Sequence, residues 1–446
     1  MTRSSRQVML VLIAVLCAAL LALELGRAEA RPTLGTAPAD WLLASHIVDD
    51  ALDSESPRRV ELWRAGYAHA KLLAPHRPNT DAAFVRGGLF HWYELGEEDR
   101  ARVLDAAAPL MRDPAFFERM HLPLLQLTKD FAWVRRNAPA TLNTRTALRN
   151  LALSRGLFGE YRLLREEIRE TRLRTFNARR RVDDPAALLA LLPERLDARD
   201  EPLVRGILEE MERQAFDPAQ ISGRVEEVVD YAVRHDLKPL TGVAPMLALP
   251  SQLRAVTRAR AALDLDRASI ASRIETTTSG ASDAEWQPYF LDRARFEARR
   301  RRDPEAAAAY LARAAEDGMT VPVLGAAIDV ARVFGKPADE QRYRAQLAGM
   351  PRVWQRLCGV DEICQHATTH VWSAERRRQT ITLTNAQSDE TPPYVEIYVD
   401  DFPVAEGEVR DRRAFEIPIP AGVHEVEIRL LNPTTRNGIQ RRLRLS

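Results

Sequence analysis

The chain has 446 residues, of which 46% are hydrophobic and 28% are charged, and its formal net charge is +1. That length allows two or three domains. A charge so close to zero gives no electrostatic basis for binding nucleic acid or an anionic membrane surface, so nucleic acid is excluded as a partner.

A hydrophobic segment opens the chain. Arg3 and Arg6 precede an apolar run at residues 8–25, and an Ala-Glu-Ala motif follows at 28–30. The arginines favour a cytoplasmic N-terminus, the run is near the lower length limit for crossing a bilayer, and the motif suits a signal peptidase. Residues 1–30 are therefore predicted to be a signal peptide or, if uncleaved, an inner-membrane anchor. In either case the remaining chain is exported to the periplasm.

The next region, residues 31–350, has the hydrophobic periodicity of helices. Apolar residues recur at intervals of three and four, and short clusters of Pro, Gly or Asp break the pattern. Similar helix-turn-helix arrangements with small residues and aromatics recur at 84–114, 147–161, 290–314 and 324–343. These segments resemble degenerate tetratricopeptide repeats (TPR), and the resemblance implies a solenoid of stacked helix pairs.

Two cysteines occupy a predicted connector at residues 351–378. Cys358 and Cys364 are close in sequence, and in an oxidising compartment this spacing favours a disulfide. The alternative is a zinc site that adds His366 and His370, whose spacing of four would place both imidazoles on one face of a helix.

The C-terminal segment, residues 379–446, has the pattern of a small all-β sandwich. Apolar and polar residues alternate at 394–399 and again at 423–431. The Pro-Ala-Gly sequence at 420–422 predicts a hairpin between the strand at 414–419 and the strand that follows it. Because so small a core is marginal alone, we expect the sandwich to rest on the helices or on the connector.

No motif in the chain indicates catalysis. It lacks a phosphate-binding loop, a His-Glu-x-x-His zinc helix and a Gly-x-Ser-x-Gly nucleophile elbow, so the sequence predicts no enzyme and no cofactor. Four tryptophans have two interpretations: they line a concave groove that binds sugar or peptide, or they fill the helical stack. These residues are Trp63, Trp92, Trp133 and Trp286.

The tail carries a second resemblance. The sequences at 395–401 and 420–428, together with Asn432, resemble small surface-associated β repeats and calcium-dependent, xylan-binding-type carbohydrate modules. The second family implies sugar and calcium binding, with Asp400, Asp401 and Asn432 as candidate ligands. The chain departs from that pattern, since Asp401 replaces the usual glycine and a proline follows Asn432; turn formation is the alternative role.

The combination of an N-terminal membrane signal, helical repeats and this tail resembles accessory proteins of surface-polysaccharide biosynthesis. The resemblance implies a non-enzymatic scaffold that binds partner proteins in cell-envelope or exopolysaccharide assembly. Two alternatives remain open: a carbohydrate-binding protein that uses the β domain or the solenoid groove, and a glycan-modifying enzyme with acids from the helical stack.

Overall fold

The computed structural model describes residues 48, 50–73, 75, 78–179, 185–214, 224–237, 254–278, 283–387, 391–434, 438 and 440–445. The predicted signal or anchor at residues 1–30 lies outside these residues. Within the described part of the chain, no helix is long and apolar enough to cross a membrane.

The chain divides into two compact units, residues 1–140 and 141–446. The division falls inside residues 31–350, for which the sequence predicts a single helical region. The first unit contains the helices α1 (Arg59–Leu73), α2 (Pro78–Phe90), α3 (Glu97–Leu110), α4 (Pro114–Thr128) and α5 (Phe131–Asn137). The tryptophan of α1, Trp63, stacks on Phe84 of α2 with ring centroids 4.0 Å apart.

The second unit contains both helices and strands. Its helices are α6 (Leu142–Ser154), α7 (Phe158–Arg179), α8 (Pro185–Leu189), α9 (Glu201–Gln214), α10 (Val225–Arg234), α11 (Ala255–Asp264), α12 (Ala268–Thr277), α13 (Asp283–Phe296), α14 (Pro304–Ala314), α15 (Val321–Val333) and α16 (Pro337–Gly349). Consecutive helices pack as pairs: α6 with α7, α11 with α12, α13 with α14 and α15 with α16.

Aspartates before prolines or aromatics begin several of these helices. The Asp113 side chain accepts a hydrogen bond from Phe116 N at the start of α4, and Asp303 accepts one from Ala306 N at the start of α14. In both helices proline follows the aspartate, as expected at a first helical position that needs no donor. The breaks between helical segments are thus encoded locally.

The C-terminal strands form two four-stranded antiparallel sheets. The strands are β1 (Glu362–Ile363), β2 (His366–Ser373), β3 (Arg377–Gln387), β4 (Tyr394–Val399), β5 (Phe402–Glu408), β6 (Arg412–Ile419), β7 (Gly422–Leu430) and β8 (Arg442–Leu445). One sheet has the order β1-β8-β3-β6 and the other β2-β7-β4-β5. Aliphatic side chains including Val395, Ile397, Ile417 and Ile428 are fully buried between them. The prediction of a mainly helical chain with a small C-terminal β region is confirmed.

The predicted hairpin around residues 420–422 is wrong. Strand β6 pairs with β3, whereas β7 pairs with β2 and β4, so this short connection passes from one sheet to the other. Both arrangements require a tight turn between alternating strands. The choice between them depends on which partner strands bury each apolar face, and those partners are distant in sequence.

The β structure also begins earlier than residue 379. Strands β1 and β2 and the start of β3 come from the predicted connector, and β2 pairs with β7 over its whole length. His366 and His370 therefore lie on a strand, not on a helix. Cys358 and Cys364 flank β1 and form a disulfide, with Cα atoms 5.9 Å apart.

Candidate binding groove between the helices and the sandwich

One face of the sandwich presents charged side chains to the helices of the second unit. Glu396 and Tyr398 of β4 and Glu427 and Arg429 of β7 are all buried. Successive side chains of a strand point to opposite faces of the sheet. The aliphatic residues of β4 and β7 therefore lie in the sandwich core, and these polar residues lie on the opposite face. The sequence indicated that alternation and predicted that the sandwich rests on the helices or the connector, but it did not indicate that the polar face makes the contact.

Arginines from the helical side pair with the buried glutamates. Arg165 of α7 donates to Glu396 and, at 3.1 Å, to Glu406 of β5. Arg195 pairs with Glu427 at 2.7 Å. Removing a carboxylate from water is costly unless it gains such partners, so these ion pairs offset the cost of burying the glutamates.

Two aspartates before α9 have pKa values shifted in opposite directions. Burial opposes ionisation of Asp197, but hydrogen bonds and the charge of Arg199 hold its pKa below the usual value. Burial, followed by the Asp197 charge, raises the pKa of Asp200 to about 6. Split pKa values can mark an acid–base pair. Here Asp200 accepts a hydrogen bond from Asp197 N at 3.0 Å, and both carboxyl groups are buried, which fits a structural role.

Asp400 and Asp401 form the turn between β4 and β5, and both have left-handed backbone conformations. The Asp400 carboxylate lies 2.6 Å from His424 Nδ1 and accepts a hydrogen bond from Glu425 N at 2.9 Å. Asp400 thereby joins the turn to β7. Aspartate tolerates this conformation better than most residues, in agreement with the predicted turn role.

Asp401 joins the same turn to the helices. Its carboxylate contacts Arg234 and lies 3.3 Å from His235 Nε2, and its carbonyl accepts a hydrogen bond from Ala198 N at 3.1 Å. Although burial opposes ionisation, the hydrogen bond with His235 and the charges of Arg234 and His235 lower the pKa of Asp401.

Asn432, the third candidate calcium ligand, has backbone partners. Its Oδ1 accepts a hydrogen bond from Tyr394 N at 2.7 Å, and its Nδ2 donates to the Pro392 carbonyl at 3.0 Å. Each of the three candidates thus has its own protein partners. Over the described residues, no group of three or more His, Cys, Asp or Glu side chains is placed to hold a metal ion.

Of the four tryptophans, Trp63, Trp92 and Trp133 belong to the first unit and Trp286 belongs to the second. Trp63, Trp92 and Trp286 are buried, which agrees with the interpretation that they fill the helical stack. Trp133 is half-buried on α5. Large aromatic side chains at close helix crossings fill volume that smaller residues would leave empty.

A ladder of alternating acids and arginines crosses successive helices. Arg260 of α11 pairs with Asp292 of α13 at 2.7 Å, Arg295 of α13 with Asp329 of α15 at 3.1 Å, and Arg332 of α15 with Glu340 of α16 at 3.2 Å. The sequence signal was an Asp-x-Ala-Arg motif, present at 292–295 and 329–332 and, with one extra residue, at 230–234. This motif is a local signal that the hydrophobic periodicity of the helices does not include.

The ladder and the sandwich line neighbouring cavities, which we call the junction groove. A cavity of about 440 Å³ is lined on the helical side by Arg234, His235, Arg260 and Arg295 and on the sandwich side by His370, Asp400, Asp401 and Glu425. A second, of about 480 Å³, is lined by Arg295, Asp329, Arg332 and Arg344 and by Trp372, Val423 and His424. Arg295 and Val423 border both cavities.

Comparison of the chain with protein-family models, with curated protein sequences and with solved structures found no match.

Proposed function

We propose that this chain is an exported, non-enzymatic scaffold that binds protein partners in the cell envelope. The observation that carries the proposal is the junction groove, a polar surface to which both the helical pairs and the sandwich contribute. Ligand sites occur preferentially at such junctions between structural elements.

The groove favours a charged, extended partner segment. Arg295, Arg332 and Arg344 line it together with Asp329, so neighbouring positions carry opposite charges. Glu340 pairs with both Arg332 and Arg344. Complementary charges give specificity and register to an interface more than raw affinity. In the proposed solenoid of TPR-like pairs, repetition of this motif extends the binding surface without requiring a catalytic centre.

Site-specific photo-crosslinking in the host tests the scaffold function. A photoreactive amino acid replaces Arg344, which lines the groove, or Arg342, which lies two positions away on α16 and pairs with Asp339. Positions two residues apart on a helix do not share a face. We expect a discrete protein adduct from position 344 and not from position 342. Equal adducts from both positions, or none from either, would refute this function.

Carbohydrate binding is the second candidate function. The observation that favours it is Trp372, a half-buried aromatic residue of β2 that borders the groove beside polar side chains. Small-ligand sites commonly combine apolar or aromatic walls with a few polar groups that orient the ligand. Photo-crosslinking detects binding of a protein, and calorimetric titration with oligosaccharides detects binding of a glycan, so the two functions can be distinguished.

A further inference from the structure

Two arginines beside Trp372 line a third cavity, of about 350 Å³, between the end of α16 and the turn from β2 to β3. Arg352 follows α16, and Arg377 begins β3; Trp372 and His370 of β2 complete one wall. Trp372 borders this cavity and the adjoining part of the junction groove, so the two are neighbours.

The two guanidinium groups differ from the arginines of the ladder. Arg377 donates a hydrogen bond to the Trp372 carbonyl at 3.3 Å, an arrangement that leaves its charge uncompensated. Within the described part of the chain, neither Arg352 nor Arg377 forms an ion pair with a carboxylate. Arg352 and Arg377 are both exposed; partial loss of contact with water, followed by the charge of Arg377, lowers the pKa of the Arg352 guanidinium. Two like charges that line one cavity without forming an ion pair favour an anionic ligand.

Other groups around the cavity shape its charge. Val321, the first residue of α15, lies in the wall, and the N-terminus of that helix adds partial positive charge. Glu375 also lines the cavity and opposes an anion there. His370 lies 3.7 Å from Glu425 on β7.

We propose that Arg352, Arg377 and Trp372 form a binding site for the carboxylate-bearing sugar of an acidic oligosaccharide. The guanidinium groups pair with the carboxylate, and the indole provides an apolar surface for the sugar ring. Ser373 and His370 also line the cavity, although the Ser373 hydroxyl donates to the Glu375 carbonyl at 2.6 Å. This inference rests on the second candidate function and is independent of protein binding by the scaffold.

Calorimetric titration of residues 31–446 tests the site, with trigalacturonate as the acidic probe, maltotriose as the neutral probe and inorganic sulfate as a simple anion. We expect heat with trigalacturonate and none with maltotriose. Binding of sulfate as tight as that of trigalacturonate would mean a general anion site and would overturn the sugar assignment.

Variants then locate the site. Arg352→Ala and Arg377→Ala should each weaken trigalacturonate binding by about tenfold, the loss of one charge-assisted contact. Glu375→Gln should strengthen it by about twofold, because a repulsive charge is removed. The matched control is Arg378→Ala, the neighbour of Arg377 on β3, which pairs with exposed Glu416 at 3.1 Å and should bind as the parent does.

The outcomes separate the inference from the function on which it rests. Tight binding of both oligosaccharides, unchanged by the arginine variants, would overturn the acidic site and retain carbohydrate binding. No heat with either oligosaccharide would overturn both. Unchanged thermal unfolding midpoints exclude misfolding as the cause of any loss.

Discussion

Single arginines join the helices to the sandwich at its buried carboxylates. Arg165 contacts Glu396, whose side chain is only 5% exposed, whereas Arg162, one helical turn earlier on α7, is 54% exposed and lies 3.7 Å from Glu406. Removing one partner of a buried pair leaves an uncompensated charge, which costs far more than an exposed pair contributes.

This contrast predicts the effect of two alanine substitutions. Arg165→Ala should lower the free energy of unfolding of the second unit by about 3–5 kcal/mol. Arg162→Ala should change it by less than about 1 kcal/mol. Urea unfolding followed by tryptophan fluorescence measures both. Equal effects of the two substitutions would mean that Glu396 is not sequestered from water.

Asp200 predicts a dependence of stability on pH. Its pKa is raised to about 6, above the value of about 4 in an unfolded chain, so the folded state binds its proton more tightly. The stability that this proton contributes is complete below pH 4 and is lost as pH rises through 6. Asp200→Asn keeps an acceptor for Asp197 N and removes the charge.

We therefore expect Asp200→Asn to be nearly neutral at pH 4 and to stabilise the protein by about 2–3 kcal/mol at pH 8. Asp197→Asn is the opposing control, because the pKa of Asp197 is lowered and its charge pairs with Arg199 at 2.6 Å. That variant should be destabilised at pH 8. Chemical unfolding at pH 4 and pH 8 measures the free energy of unfolding of each variant. An equal increase from Asp200→Asn at both pH values would contradict the raised pKa of Asp200.

At the scale of elements, helix α15 meets strand β7 through a glycine. A Cβ atom built on Gly325 would lie 2.6 Å from Val423 Cγ2, a distance that side chains do not tolerate. Gly159 of α7 offers the contrast, since a Cβ there would meet nothing within 4 Å. Of these two positions, Gly325 requires glycine because the strand approaches it closely, and Gly159 does not.

Gly325→Ala should therefore destabilise the second unit by about 1–3 kcal/mol through overpacking. Gly159→Ala should stabilise it by about 0.5–1 kcal/mol, because alanine loses less backbone entropy in a helix. Thermal unfolding of both variants provides the comparison. Stabilisation by both would show that α15 and β7 are not in close contact.

At the scale of the whole molecule, the proposed scaffold requires that the chain cross the inner membrane. Protease added to spheroplasts should degrade the exported part, and protease added to intact cells should not. A version in which Arg3 and Arg6 are replaced by glutamate should remain protected in spheroplasts, because the positive-inside bias is removed. Protection of the unaltered chain in spheroplasts would exclude export.

Much of the fold could be read from local chemistry. Asp113 and Asp303 before prolines begin helices where the sequence pattern placed breaks, and the alternation in β4 and β7 identified their apolar faces. Cys358 and Cys364 are six positions apart, which short-range geometry can satisfy. Each of these features depends on neighbours in the chain, so a single sequence contains the information.

The junction between the helices and the sandwich depended on residues far apart in the chain. Arg165 and Glu396 are separated by 231 positions, and Arg234 and Asp401 by 167. The sequence by itself determined the helical segments, the strand faces and the cysteine pair, because caps, periodicity and short loops act locally. Only the tertiary structure decided that the polar face of the sandwich is buried, that β6 and β7 belong to different sheets, and that Arg352 and Arg377 border one cavity. Those outcomes follow from the packing of distant elements, which local patterns do not specify.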